Sequence, residues 1–201
     1  MFIQVIQGRA SNPDGVRAAL DRWKAELAPG AEGWLGSTGG VTDDGRCIVL
    51  ARFESEELAR RNSDRPEQGA WWAETSEQVS EPAFHDSARV HAYKGGGSDR
   101  AGFVQVIQGH TDDMERLAEL GRAQEQRLAE QAPHILGMTV AEHADRPGDF
   151  TQTVYFTSEE DARRFEQQRP ARSDPASREL FSLMTGLEYF DLRDPWLDSR
   201  G

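Results

Sequence analysis

Seven residues near the start of the chain, Phe2-Ile3-Gln4-Val5-Ile6-Gln7-Gly8, return as Phe103-Val104-Gln105-Val106-Ile107-Gln108-Gly109 with one conservative change. The echo continues in order. Leu35-Gly36-Ser37-Thr38 matches Leu136-Gly137-Met138-Thr139, and Arg52-Phe53-Glu54-Ser55-Glu56-Glu57 matches Tyr155-Phe156-Thr157-Ser158-Glu159-Glu160. Ala59-Arg60-Arg61 then matches Ala162-Arg163-Arg164. Four collinear matches at an offset of 101 to 103 residues mark the duplication of a whole domain, not a short solenoid repeat. Each half must therefore fold as the same unit, and any difference between the halves marks specialisation.

The repeat sets the domains at residues 1–94 and 102–201, joined by a glycine-rich linker at 95–101. Lys94-Gly95-Gly96-Gly97-Ser98-Asp99-Arg100 reads as flexible chain. A net charge of −12 argues against nucleic-acid or anionic-membrane partners, which need a positive surface. Lysine occurs only at 24 and 94 beside many arginines, a usage associated with GC-rich bacterial genomes. Cys47, the sole cysteine, sits in the apolar run Cys47-Ile48-Val49-Leu50 and reads as a small core residue. No apolar run is long enough for a membrane span, and no signal peptide is visible, so a cytoplasmic protein is expected.

Within each half the pattern is β-α-β-β-α-β. Residues 2–8 read as a strand. Asn12-Pro13 reads as a cap and first helical turn, and Val16, Leu20, Trp23 and Leu27 form its apolar stripe. Strands are expected at 33–42 and 46–54, joined by the turn signal Asp43-Asp44-Gly45. Ser55 caps a second helix, broken near Asp64-Arg65-Pro66, and Phe84 to Tyr93 reads as the last strand. The second half repeats this with strands at 103–109, 134–143, 149–157 and 187–193, a helix at 112–131, and a helical region from Ser158 broken near Pro170 and Pro175. Such an α+β unit is a ferredoxin-like sheet with helices on one face. Strand one is apolar on both faces, so the other face needs a partner, and the sister half's sheet is the natural one.

The opening strands, the hairpins after them, and the segments leading into the second helix carry a resemblance to the dimeric α/β-barrel superfamily, most like its antibiotic biosynthesis monooxygenase branch. The likeness covers nearly the whole chain, once per half. It implies two tandem ferredoxin-like domains that close an intramolecular barrel, a pseudo-dimer within one chain, with further homodimerisation left open. It also implies a pocket between sheet and helices for a small aromatic molecule of phenol or quinol type, and cofactor-independent monooxygenase chemistry. A non-catalytic ligand-binding or stress-response barrel is the alternative.

On that resemblance Gln7 and Trp72 take the catalytic places, with Trp71, Gln4, Gln105 and Gln108 as further ligand-binding residues and the first half as the active one. No metal or cofactor is expected, and no haem ligand is carried over. The glutamines interrupt apolar strands, and a buried amide left unpaired costs about 1–3 kcal/mol. They either hold a ligand oxygen or make cross-strand or inter-sheet hydrogen bonds. Their presence in both halves favours the second. Trp71-Trp72 has only Ala176-Ser177 opposite it in the second half. It is either an aromatic wall or a core residue beside a contact residue. His85, Ser87, Arg89 and His91 alternate along the last strand of the first half and read as a solvated face, while His110, His134 and His143 read as surface residues.

Overall fold

The structure is a computed structural model, and it describes residues 1–168 and 175–200. The chain packs as two compact units. One is Met1–Arg89 together with the tail from Pro195, and the other is Val90–Asp194. The expected break at Pro170 lies outside the described residues.

The first unit begins with β1 (Phe2–Ala10), followed by α1 (Pro13–Glu26). Asn12 caps α1 by accepting a hydrogen bond from the Gly15 amide at 3.1 Å, and a short 3-10 turn at Ala28–Gly30 follows it. The hairpin β2 (Trp34–Val41) and β3 (Arg46–Phe53) follows. The expected helical break is then present: α2 (Glu56–Ser63) is capped by Ser55, and α3 (Pro66–Ser76) restarts on proline. The second unit repeats the plan with β6 (Phe103–His110), α4 (Met114–Gln131), β7 (Ile135–Glu142), β8 (Asp149–Phe156), α5 (Glu159–Gln168), α6 (Pro175–Ser182) and β9 (Thr185–Leu192).

The last strand of the first half differs from expectation. The run from Phe84 to Tyr93 is two strands, β4 (Val79–Ser87) and β5 (Val90–Tyr93), which belong to different sheets. The tail is likewise a strand, β10 (Trp196–Ser199). The antiparallel sheets run β10-β2-β3-β1-β4 and β5-β7-β8-β6-β9. Each thus gains a fifth strand that the repeat alone assigns to the other half.

The repeated Leu-Gly pair explains how that strand fits. At Gly36 a Cβ would lie 2.3 Å from the Asp198 carbonyl oxygen, and at Gly137 it would lie 1.8 Å from the Gly96 carbonyl oxygen. Both glycines sit where the register of the hairpin shifts, at β-bulges. The missing side chain lets the extra strand or its following turn approach the backbone. The two lysines of the chain serve the same segments. Lys24 on α1 pairs with Asp198 of β10. Lys94, just after β5, donates to the Ala132 carbonyl at 2.9 Å at the C-terminal end of α4, where a cation suits the helix dipole. Its own amide donates to Glu125 at 2.7 Å. The start of the glycine segment is therefore a fastened turn.

Strand period sorts the faces. Phe2, Gln4 and Ile6 lie on one side of β1, and Phe103, Gln105 and Ile107 on the matching side of β6, toward the helices. The opposite faces carry Ile3, Val5 and Gln7, and Val104, Val106 and Gln108; their aliphatic members are fully buried. His85 pairs in register with Val5 and is buried, as is Ser87, so of the expected solvated face only Arg89 is exposed. Cys47 is buried and its thiol is pushed up to about 11 by desolvation, as a core residue requires.

Gly36→Val and Gly137→Val should each displace the fifth strand or the turn beside it and cost about 1–3 kcal/mol as overpacking does. Thermal melts should register both, whereas Gly45→Ala, at a turn where a Cβ meets nothing within 4 Å, should lower the midpoint through its left-handed φ of 83° alone.

Candidate functional site

The two units fill the space between sheet and helices differently. In the first, three indoles take it up. Trp23, Trp34 and Trp71 are buried, with ring centroids 5.3 Å apart for Trp23–Trp34 and 6.5 Å for Trp23–Trp71, both edge-to-face. Two of their N–H groups are matched to the packing: Trp23 donates to Gln68 at 2.6 Å, and Trp71 to the Ala19 carbonyl at 2.9 Å, while among the described residues the buried Trp34 Nε1 finds no acceptor.

Counting from the helix caps Asn12 and Asp113, the position of Trp23 is Gln124 in the second unit. Trp34 and Ile135 each open the second strand. Opposite Trp71-Trp72 stand Ala176-Ser177. Three large rings are thus replaced by an amide, an aliphatic chain and a small residue. The consequence is a cavity of about 220 Å³ in the second unit, with Gln124, Ile135 and Ser177 in its lining.

Most of the cavity wall is apolar. Val140, Val154 and Phe156 contribute from the sheet, and Leu117, Leu128 and Phe165 from the helices. Phe181 and Tyr189 also line it and are among the large hydrophobic residues left exposed, which places them at its solvent side. Polar residues interrupt the wall, among them Gln105, Gln124, His134, Gln152 and Glu166. Gln124 accepts from the Ser177 hydroxyl at 3.3 Å through Oε1, while its Nε2 is buried without a hydrogen-bond partner. His134 follows α4 in the short connection to β7, with its ring stacked on Phe156 (interplanar angle 9°) and edge-on to Phe165. Its Nε2 is also buried without a partner among the described residues. Burial holds the imidazole below the usual histidine range, with Asp161 opposing and Lys94 and Arg164 reinforcing.

At another part of the wall Gln105 donates to Glu166 at 2.8 Å and to Asp191 at 3.0 Å. Arg163 ties these acids together, pairing with Asp191, with Glu166 at 3.2 Å and with Glu159 at 3.0 Å. The first unit has the simpler version, in which Gln4 donates to Asp86 at 3.0 Å. The cross-strand Gln–Asp bond is therefore the repeated element, and the link to Glu166 belongs to the second unit.

The crystal structures that match the whole chain include three with TM-scores of 0.70 to 0.74. Two, each described as a "putative monooxygenase", come from Lactobacillus acidophilus (TM-score 0.74, 13% identity, 96% of that chain covered) and Fusobacterium nucleatum (0.72, 8%, 94%). The third is an anthrone oxidase-like protein (TM-score 0.70, 14% identity, 91% covered). The chain shares the fold of these three proteins over its whole length. No family description matches the sequence, and no curated protein does.

Within this fold, the residues singled out from sequence separate. Gln105 alone of the six borders the cavity. Gln7 and Gln108 lie on the face away from the helices, because three residues along a strand reverse the side; Gln108 donates to Thr151 at 3.1 Å. Trp71 is core. Trp72 is half-buried, 6.2 Å from Trp71 and 5.2 Å from Phe84 between ring centroids. The expected ligand wall was in the first unit, whereas the cavity is in the second. Among the histidines, His91 and His134 line the cavity and His143 is buried with Nε2 2.7 Å from the Thr151 hydroxyl; these two, His134 and His143, are not the surface residues expected. His110 stays half-exposed, 2.8 Å from Asp149 and 3.3 Å from Asp112. Sequence reasoning missed Gln124 and His134, although the exchange of Trp23 for Gln124 was visible once the helix caps were aligned.

The two histidines should titrate in opposite directions. Hydrogen bonds donated by the protonated ring to Asp149 and Asp112 raise His110, so its contribution to stability is present below the usual histidine range and lost as pH rises through its raised value. Burial lowers His134, so its contribution is present above that range and lost as pH falls through its lowered value. A histidine-resolved NMR titration should place His134 lowest and His110 highest of the pair, and His110→Ala should remove the upward shift only.

Proposed function

We propose that the second unit's cavity takes up a small aromatic molecule of phenol or quinol type, and that the protein acts on it as a cofactor-independent, monooxygenase-like enzyme. The observation that carries this reading is the cavity of about 220 Å³ left where the first unit has three tryptophans. An apolar cavity of roughly 150 Å³ accommodates benzene, so this one suits one or two rings. Apolar walls with a few fixed polar groups are the usual lining of a small-molecule site. The anthrone oxidase-like relative in fold supplies a reaction class consistent with such a ligand. An activated ring methylene becomes a carbonyl, one oxygen atom of dioxygen entering the product and the other leaving as water. The substrate supplies all the electrons.

Binding without turnover is the second reading. It draws on Gln105, whose amide hydrogens already go to Glu166 and Asp191 and so are not free for a ligand oxygen. An oxygen electrode separates the two. An enzyme consumes dioxygen with an anthrone- or quinol-type substrate, while a binding protein saturates without uptake.

Gln124→Trp, which installs the residue of the first unit, should fill the cavity. Affinity for a two-ring phenol should fall at least tenfold by calorimetry while the thermal midpoint holds or rises. Unchanged affinity in a folded Gln124→Trp protein would move the binding site elsewhere.

A further inference from the structure

The cavity has a polar feature that its packing role does not account for. An imidazole sandwiched between phenylalanines serves packing no better than an apolar ring would. Its buried nitrogen without a partner carries a desolvation cost that a phenylalanine would avoid. His134 Nε2 is such an atom: buried, without a hydrogen bond among the described residues, in a residue of the cavity wall. The ring orientation is fixed by Phe156 at a centroid distance of 6.4 Å and Phe165 at 5.6 Å. The neighbouring backbone is fixed too, since the Thr157 amide donates to the His134 carbonyl at 3.0 Å. Gln124 Nε2, also in the lining, is a second buried polar atom with no partner among the described residues, and it can only donate.

We propose that His134 Nε2 is the acceptor for the hydroxyl hydrogen of a phenolic ligand in this cavity, with the Gln124 amide as donor to a ligand oxygen. The inference rests on the cavity being the ligand site and adds the chemical group that the site selects. A ring lacking a hydroxyl leaves both atoms unpaired, so discrimination in favour of a hydroxylated ring follows from the same cost that marks them out. During turnover the same nitrogen is placed to receive the hydroxyl proton, leaving the electron pair on the ligand oxygen. The neutral imidazole needed for this is favoured by burial. The charged groups acting on it are Asp161, Lys94 and Arg164, of which Asp161 alone favours the protonated form.

The test is calorimetric titration of the full chain with 1-naphthol and with naphthalene, for the unaltered protein, His134→Phe and His134→Gln. The expected result is at least tenfold tighter binding of 1-naphthol than of naphthalene. His134→Phe, which keeps the aromatic stack, should erase that preference while naphthalene affinity stays within about twofold. His134→Gln, whose carbonyl oxygen accepts, should restore part of it. The 1-naphthol affinity of the unaltered protein should also fall as pH drops through the His134 titration, while that of naphthalene does not. Equal affinity for the two probes in the unaltered protein, or a preference that survives His134→Phe, overturns the role of His134 and leaves the cavity as the ligand site. Failure of the unaltered protein to bind either probe overturns the cavity reading itself, and the inference with it.

Discussion

Everything that distinguishes the two units follows from how much side-chain volume fills the layer between sheet and helices. The backbones repeat, down to the bulges at Gly36 and Gly137 and the register shifts across Gly8 and Gly109 within the first strands. Protein interiors are close-packed, so a volume deficit is not spread thinly over a rigid frame; it collects as a cavity. Trp23, Trp34 and Trp71 close the layer in the first unit. Gln124, Ile135 and Ser177 leave it open in the second.

Polar groups then divide into those that hold the frame and those that do not. The Gln4–Asp86 and Gln105–Asp191 bonds recur at matching positions and satisfy amides that strand periodicity turns toward the helices. Arg163 gathers Asp191, Glu166 and Glu159 in the second unit, and its guanidinium lies 5.3 Å from the centre of the Phe103 ring. His134 and Gln124 have buried nitrogens with no such partner. A buried polar atom outside the framework is a cost in the empty protein and a source of selectivity when a complementary ligand is present.

Much of the fold was legible because local chemistry is directional. Proline after asparagine, serine before paired glutamates, and Asp-Asp-Gly between apolar runs each specify a backbone event that needs no distant partner. The fifth strands were not legible. Trp196 to Ser199 and Val90 to Tyr93 are short, and what makes them strands is the open edge of β2 and β7 beside a glycine, which is a tertiary circumstance. The cavity was half legible. The asymmetry between Trp71-Trp72 and Ala176-Ser177 stood out, but its sign depends on whether an indole borders a space or fills it.

The sequence by itself determined the duplication, the order of elements in each half, the helix caps, and the alternation that puts Gln4 and Gln105 on one face and Gln7 and Gln108 on the other. These rest on repetition and on local periodicity, which the chain carries in full. Tertiary structure decided which sheet receives Val90–Tyr93 and Trp196–Ser199, which unit is filled, and which polar atoms are left without partners. Those outcomes depend on volumes and distances between residues far apart in the chain, such as Gln124 against Ser177 or Gly137 against Gly96, and no local pattern encodes them.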